Sequence, residues 1–265
     1  MSTTLTPDQI QTYHRDGVLF PLPLLTEEEV AYFRSLYDEF RRYLAREHKS
    51  TKKSQCHLHF KWVCDLATQP KLLDMVEDII GPDILIHSST FFVKDAKDEM
   101  FISWHQDSHY WALSEPRLVS AWIALTESNI GNGCLRVFPG TQTRKFDHLA
   151  QRGENNMLGT GLTVSEYLDE KAAVDIVLHA GEASFHHANI IHGSKPNTST
   201  SPRIGFAVRY MSTAVKQERA HHEVILARGE DRYHYYKLQE KPTAGLEQGM
   251  IAKRNFDSDP SNNFG

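Results

Sequence analysis

The chain has 265 residues, of which 40% are hydrophobic and 24% are charged, and its formal net charge is -5. These proportions are typical of a soluble globular protein. Lysine and arginine are interspersed with acidic residues, so the basic surface that nucleic acids need is not indicated. Since no long apolar run and no basic-then-apolar leader is present, neither a membrane partner nor a signal peptide is expected. Cys56, Cys64 and Cys134 lack zinc-site spacing, which favours reduced thiols in the cytoplasm.

The N-terminal part carries helix signals. Thr6 and Gln9 form a predicted capping box, and Gly17 is a natural stop for the first helix. Apolar side chains at helical spacing predict a second helix over residues 26–47 and another over 71–80. A helical N-terminal part over residues 1–83 is therefore expected.

Residues 57–62 alternate polar and apolar side chains, which predicts a short strand. His57 and His59 would then share one face, where their imidazoles could contact an anionic substrate. The alternative interpretation is a polar strand face that is simply solvated.

From residue 84 onward the hydrophobic period changes to two, which predicts strands. Seven short strands are predicted, over residues 84–93, 101–107, 118–125, 134–138, 175–178, 183–191 and 203–211. Strands separated by turns rich in glycine, proline and asparagine favour a mainly β sandwich or jelly roll, with the leading helices packed on one sheet.

The whole chain, 1–265, is predicted to form one domain with a jelly-roll core over residues 84–211. Residues 142–171 lack a clear period, and such an insertion is typical of a lid or a binding loop. The tail, 212–265, combines a charged helical segment with a polar end at 257–263 that is expected to be loose. Whether the insertion and the tail form a lid or a homodimer contact stays open.

Metal-binding residue types occur in two places. In residues 104–111, His105 and Asp107 stand two positions apart, and on an extended strand both would point to the same face. A second cluster about eighty residues later ends in His192. Two imidazoles and one carboxylate form the ligand set of non-haem Fe(II) oxygenases. The hypothesis is that His105, Asp107 and His192 hold one iron.

Other histidines offer alternative ligand sets. On the predicted strand, His109 shares the face of His105 and Asp107, which would give a His-x-Asp-x-His metal clip. His186 or His187 could replace His192, although neither is followed by an arginine at a comparable separation. Hydrogen bonding near the site is the favoured role for these two.

Arg203 follows His192 after a run rich in serine, threonine, proline and asparagine. If that run is a hairpin turn, Arg203 begins the antiparallel partner strand and can point into the cavity of His192. Iron with three protein ligands leaves room for a chelating 2-oxo acid and for dioxygen. A distal carboxylate on that acid would suit the guanidinium of Arg203, and Ser194 could add a hydrogen bond.

Three segments, at residues 104–111, 121–141 and 192–203, are similar to the phytanoyl-CoA dioxygenase family of Fe(II)/2-oxoglutarate-dependent oxygenases. The similarity runs in order of elements from Thr6 to about Met211. It implies a double-stranded β-helix of the cupin-like jelly-roll kind, which binds Fe(II) and uses 2-oxoglutarate and O2.

The resemblance also implies roles for single residues. His105, Asp107 and His192 correspond to the iron ligands, and Arg203 to the anchor of the 2-oxoglutarate C5 carboxylate, with Ser194 beside it. Two further positions line the co-substrate pocket in relatives, Gln106 and Trp122. Tyr110 and Trp111 are candidates for substrate contact, with packing as the alternative for Trp111.

Halogenating relatives replace the carboxylate ligand with a small residue, whereas Asp107 is present here. The resemblance thus implies hydroxylation of a small molecule, with release of succinate and CO2. A natural-product intermediate, an amino-acid-like compound, a quaternary amine and an alkylphosphonate all fit as substrate. A metal-dependent isomerase or epimerase and a non-catalytic binding module are the competing functions. Arg203 with an intact triad is the discriminating feature, because a binding module needs neither.

Overall fold

The computed structural model describes residues 4–46, 54–111, 113–150, 154–158, 161–217 and 223–258. Its helices are α1 (Pro7–Asp16), α2 (Glu27–Arg46), α3 (Lys61–Ala67), α4 (Pro70–Ile80), α5 (Ser108–Trp111) and α6 (Leu246–Ser258). Its strands are β1 (Val18–Pro23), β2 (Ile84–Lys94), β3 (Ile102–His105), β4 (Leu118–Ala124), β5 (Leu135–Phe138), β6 (His148–Ala150), β7 (Leu162–Val164), β8 (Val174–Ile176), β9 (Glu182–His187), β10 (Ile191–Ser194), β11 (Arg203–Ser212), β12 (Glu223–Arg228) and β13 (Lys237–Leu238). Within these ranges, none of the helices has the length and apolar character required to cross a bilayer.

Two facing sheets form the body of the protein. The larger sheet has the strand order β1-β9-β4-β11-β2-β12-β13, and the smaller has the order β3-β10-β5-β8. Trp122 and Ala207 of the larger sheet pack with Leu135, Val137 and Ile176 of the smaller sheet in one buried cluster. The predicted double-stranded β-helix is therefore confirmed.

The alternation of β11 explains how one strand serves both the core and the cavity. Ile204, Phe206 and Val208 join the large hydrophobic cluster beneath the N-terminal helices. Arg203 and Arg209 point the other way and line a cavity between the sheets. Because both faces of the strand are covered, all ten of its residues are buried.

The N-terminal helices form as their sequence signals predict. The Thr6 hydroxyl accepts from the backbone N–H of Gln9, whose side chain accepts from the N–H of Thr6, and Gly17 ends α1 with a left-handed φ of 75°. The ring of Tyr37 on α2 lies 5.0 Å from the ring of Phe91 on β2. The helices thus cover the outer face of the larger sheet, as expected.

The strand predicted over residues 57–62 is wrong. The segment forms a short 3-10 helix, Cys56–Leu58, and then enters α3. The Cys56 carbonyl accepts from the backbone N–H groups of His59 and Phe60, so the local hydrogen bonds are helical. Both histidines and their apolar neighbours are buried here. The alternation of polar and apolar residues therefore does not correspond to a solvent-exposed face and a core face of a strand.

The predicted hairpin between His192 and Arg203 is also wrong. His192 pairs with His105 in the smaller sheet, whereas Arg203 pairs with Lys94 in the larger sheet. The polar run between them crosses from one sheet to the other. The strand predicted over residues 183–191 is likewise two strands, β9 and β10, separated by a turn in which the Ile190 N–H donates to the His187 carbonyl.

Several elements were not anticipated from the sequence. β1 pairs with β9 at the edge of the larger sheet, and β12 of the tail pairs with β2. The insertion carries the β6–β7 hairpin, and its Leu158 lines the central cavity. The predicted helical segment of the tail is α6. Of the end predicted to be loose, residues 257 and 258 belong to α6, and residues 259–263 lie outside the described part of the chain.

Candidate active site

Three side chains of metal-binding type lie together beside the β3–β10 pair of the smaller sheet. His105 is the last residue of β3, and its Cα pairs with that of His192 on β10. Asp107 lies just beyond the end of β3 and precedes α5, so the turn, and not a continuing strand, directs its carboxylate toward the histidines. The predicted proximity of His105 and Asp107 holds, although the strand that was expected to produce it ends earlier.

The three side chains could hold a single ion. The Nε2 atom of His105 lies 3.5 Å from Oδ1 of Asp107. The Nε2 atom of His192 lies 3.8 Å from the same oxygen. One ligand atom from each residue lies within 4.8 Å of the other two, and all three side chains are buried. In the described part of the chain this is the only such group of three.

Backbone hydrogen bonds orient both imidazoles. Nδ1 of His105 lies 2.9 Å from the Ser103 carbonyl oxygen, and Nδ1 of His192 lies 3.0 Å from that of Ile190. A carbonyl can only accept, so each Nδ1 carries the proton and each Nε2 keeps its lone pair. Both lone pairs are directed toward Asp107, which is the arrangement that metal-binding histidines need.

The charges around Asp107 favour ligand protonation states. Burial alone would raise the pKa of Asp107, but the charge of Arg209 and the nearby His105 and His192 together hold this pKa well below its usual value. Burial lowers the pKa of His192 well below its ordinary value, and the neighbouring His105 lowers it further. Asp107 is therefore a carboxylate and His192 a neutral imidazole, the forms that bind a divalent cation.

Arg203 lines the same cavity from the larger sheet, and only 2% of its surface is exposed. Its Nη1 donates to the Gly133 carbonyl, whereas Nε and Nη2 are buried and have no hydrogen-bond partner among the described residues. Its guanidinium carbon lies 5.5 Å from the centre of the Trp122 ring. A carboxylate placed in the cavity would satisfy these donors, so the site fits a dicarboxylic 2-oxo acid.

The other co-substrate candidates divide into two groups. Trp122 and Ser194 line the cavity. Gln106 is not among the lining residues, because its amide donates to the carbonyls of Arg144 and Asn189 while its oxygen accepts from Phe146. The side chain of Gln106 instead joins the insertion to the turn after β9.

The substrate candidates also divide. His57 is buried behind β2 with Nδ1 2.7 Å from the Ser89 hydroxyl, and the ring of His59 lies 4.9 Å from that of Phe256 on α6. Neither histidine lines the cavity, and their burial lowers the pKa of His57 to about 3 and that of His59 to about 4. Both are core histidines, contrary to the expected substrate contact.

Tyr110 and Trp111, by contrast, stand beside the site. The Tyr110 ring lies 6.1 Å from that of His105. The Trp111 ring lies 5.6 Å from the guanidinium of Arg209. The short helix α5 therefore carries both residues to the edge of the metal cluster.

The alternative metal ligands are not brought together. His109 is on α5, exposed, with its ring 4.1 Å from that of His148, so the metal clip predicted on a strand is not formed. The ring of His186 lies 4.8 Å from that of His192 and lines the cavity, but it is not part of the metal group. Both of its nitrogens lack hydrogen-bond partners among the described residues. The hydrogen-bonding role favoured for His186 thus has no partner within that part of the chain.

Two buried basic residues near the cavity were not identified from the sequence, Arg209 and Lys94. Arg209 stands six residues after Arg203, an even separation that places both on one strand face. That signal was available. Lys94 could not be found in this way, because its neighbour Arg203 lies more than one hundred residues away in the sequence.

Comparison with known proteins agrees with this geometry. The family model for phytanoyl-CoA dioxygenase (PhyH) matches residues 13–205. An ectoine dioxygenase of Bordetella parapertussis is 27% identical over 78% of this chain and 76% of its own length. The human peroxisomal phytanoyl-CoA dioxygenase is 26% identical over 80% of this chain and 70% of its own. A solved non-heme monooxygenase, ThoJ in its apo form, superposes with a TM-score of 0.83 at 26% identity, covering 94% of both chains.

A jelly roll with two histidines, one carboxylate and a buried arginine in one cavity defines a non-haem Fe(II) oxygenase that uses a 2-oxo acid. The chain belongs to the phytanoyl-CoA dioxygenase family of Fe(II)- and 2-oxoglutarate-dependent dioxygenases.

Proposed function

We propose that this enzyme hydroxylates an unactivated C–H bond of a small molecule. In the overall reaction one oxygen atom of O2 enters the substrate as a hydroxyl group and the other enters succinate, and 2-oxoglutarate loses CO2. His105, Asp107 and His192 would hold Fe(II), and Arg203 with Ser194 would bind the C5 carboxylate of 2-oxoglutarate. Trp122 would border that carboxylate site.

One observation carries the proposal. Nε and Nη2 of Arg203, which have no partner among the described residues, face the same cavity between the sheets as the lone pairs of the two oriented histidines. A non-catalytic binding module on the same scaffold has no use for two buried guanidinium nitrogens that find no partner among the described residues. A chelating 2-oxo acid with a distal carboxylate uses both ends of the cavity.

The protein's own residues orient the reactants and exclude water. The bound iron supplies O2 activation, which is the chemistry that side chains cannot perform. The backbone bonds at Ser103 and Ile190 fix the direction of the two imidazoles. The larger sheet closes the opposite wall, so one C–H bond can be presented in a space that holds little water.

The substrate side of the cavity carries a positive charge. Arg209 lines the cavity between the rings of Phe92 and Trp111, with its guanidinium carbon 5.7 and 5.6 Å from their centres. Its Nε lies 3.5 Å from Oδ2 of Asp107. When Asp107 binds a metal ion, its charge is shared with that ion, and Arg209 can attract an anionic group. Among the candidate classes, this favours amino-acid-like compounds and alkylphosphonates over quaternary amines.

The test follows succinate in the Fe(II)-loaded enzyme with O2, 2-oxoglutarate and pooled small metabolites. Succinate formation should depend on O2, and carboxylates should stimulate it more than their uncharged amides do. Product formation that consumes neither O2 nor 2-oxoglutarate would instead identify an isomerase or epimerase.

A further inference from the structure

A second buried cation stands next to Arg203. Lys94 is the last residue of β2, and its Cα is paired with that of Arg203 across the β2–β11 ladder. No part of Lys94 is exposed. Its Nζ donates to the Ser194 hydroxyl over 2.7 Å and also to the Lys195 carbonyl.

These two cations lack a nearby anion. Within the ranges that the structure describes, neither Lys94 nor Arg203 forms an ion pair with a carboxylate within 4.0 Å. Cys134 lies close to both, but burial raises the pKa of its thiol to about 11, so the thiol is neutral. Asp98 is the acidic residue that acts on both electrostatically, and its two oxygens accept from the backbone N–H groups of Met100 and Asp95.

Like charges directly opposite each other on a ladder destabilise a sheet, and buried charges without counter-ions cost still more. The effect is visible in the pKa values. Burial, with a further contribution from Arg203, lowers the pKa of Lys94 to about 7. Burial lowers the pKa of Arg203 to about 10. The protein therefore maintains a strained positive site that an anion would relieve.

Ser194 links this site to the cavity. Its Oγ accepts the hydrogen bond from Lys94, so its own hydroxyl proton is available to donate. Ser194 lines the cavity together with Arg203, whose Nε and Nη2 are unpartnered among the described residues. The free donors and the uncompensated charge thus occur at the same end of the cavity.

We propose that Lys94 is a positioning residue of the co-substrate site, supplying a second positive charge for the distal carboxylate and orienting the Ser194 hydroxyl toward it. The inference rests on the proposed function, because it requires 2-oxoglutarate as the co-substrate. Lys94 then contributes to the preference for a dicarboxylic over a monocarboxylic 2-oxo acid.

A purely structural role is the competing explanation. In that case the two hydrogen bonds of Lys94 tie residues 194 and 195 to β2, and removing them lowers stability. The proposed role predicts a different change in stability when Lys94 is replaced. Removing an uncompensated buried charge leaves the metal-free protein as stable or more stable, while the binding of 2-oxoglutarate weakens.

The main test compares Lys94→Met with a surface control, Lys97→Met. In the wild type, Nζ of Lys97 donates to the Thr198 carbonyl. Binding of 2-oxoglutarate and of 2-oxobutyrate to the anaerobic Fe(II)-loaded protein is measured by calorimetry, and the melting temperature is measured without metal. For Lys94→Met we expect the Kd of 2-oxoglutarate to rise about tenfold or more. The Kd of 2-oxobutyrate and the melting temperature should not worsen, and Lys97→Met should match the wild type.

An unchanged Kd for 2-oxoglutarate would overturn the proposal, and so would equal weakening of both acids or a lower melting temperature with the Kd unaffected. If Lys94→Met does not fold, the wild type still provides a test. At pH 8, binding of 2-oxoglutarate should take up close to one proton more than binding of 2-oxobutyrate, because the carboxylate restores the charge of Lys94. Equal proton uptake would contradict the role of Lys94.

The two proposals fail in different ways. If the wild type binds no 2-oxoglutarate and forms no succinate, the proposed function is wrong. If the wild type does both and Lys94→Met behaves identically, only the inference about Lys94 is wrong.

Discussion

Arg203 and Arg209 are buried on the same strand, face the same cavity and are six residues apart. Arg209 is compensated: its Nε lies 3.5 Å from Asp107, and two aromatic rings flank its guanidinium. Arg203 has no carboxylate at ion-pair distance among the described residues and lies opposite a second buried cation, Lys94. Two equivalent side chains therefore have opposite electrostatic environments.

In the metal-free protein, the difference distinguishes a guanidinium that has an internal counter-ion from one whose counter-ion must come from a ligand. A buried charge with a partner stabilises what it touches, and here Arg209 holds the carboxylate of the metal cluster. A buried charge without a partner costs stability unless a ligand completes it. We therefore expect 2-oxoglutarate to bind at the Arg203 end of the cavity, and the metal and the substrate to bind near the Arg209 end.

The largest expected effect comes from removing the carboxylate that separates the two ends. Asp107→Ala leaves two imidazoles without an anionic ligand, so O2-dependent succinate formation should fall by about 100-fold or more. The exposed Asp38→Ala on α2 is the control. Full turnover by Asp107→Ala would mean that another carboxylate or another reaction is involved.

At the Arg203 end, Arg203→Met should raise the Kd of 2-oxoglutarate by about 10- to 100-fold, since a charge-assisted bidentate contact is lost. The metal-free variant should also gain about 1 kcal/mol of stability, because an unpaired buried charge is removed. Calorimetric titration and denaturant unfolding measure the two quantities. Loss of stability without loss of affinity would assign Arg203 to packing.

At the Arg209 end, Arg209→Met should lower the stability of the metal-free protein by about 1–3 kcal/mol, because Asp107 loses its counter-ion. A divalent cation should restore much of this loss by binding the same carboxylate. Thermal melting with and without Ni²⁺ measures both effects. If Arg203→Met and Arg209→Met change stability with the same sign, the contrast between the ends is wrong.

The last expected effect is the pH dependence of stability at the Arg203 end. The pKa of Lys94 is about 7 in the folded protein against an ordinary value of 10.5, so the unfolded state binds more protons between these values. The contribution of Lys94 to the free energy of unfolding should therefore rise with pH across this window, whereas the buried thiols, whose pKa values burial raises, contribute in the opposite direction above about pH 9. The slope of the free energy of unfolding against pH gives the difference in bound protons between the unfolded and folded states. This difference should fall by about one proton in Lys94→Met and should not change in Lys97→Met. If the slope of stability against pH is identical in the wild type, Lys94→Met and Lys97→Met, the lowered pKa of Lys94 is contradicted.

The residues of the candidate metal site were predictable because they are local or belong to a motif. His105 and Asp107 are two residues apart, and His192 is followed by Arg203 at a characteristic separation. The capped helices were equally readable, since Thr6, Gln9 and Gly17 act within one helix. The period-two pattern identified most strands of the two sheets.

What the sequence did not reveal depends on long-range pairing. His192 and Arg203 reach one cavity from different sheets, and no local pattern distinguishes that crossing from a hairpin. His57 and His59 alternate with apolar residues, yet all are buried, so the pattern resembled a strand. The pairing of Lys94 with Arg203 likewise follows from the ladder alone.

The most direct test of the account is anaerobic titration of the Fe(II)-loaded wild type with 2-oxoglutarate and with 2-oxobutyrate, which lacks the distal carboxylate. We expect 2-oxoglutarate to bind about 100-fold more tightly than 2-oxobutyrate, because only 2-oxoglutarate has a distal carboxylate that can pair with the buried positive charges of Arg203 and Lys94. Equal affinity for the two acids would contradict the account.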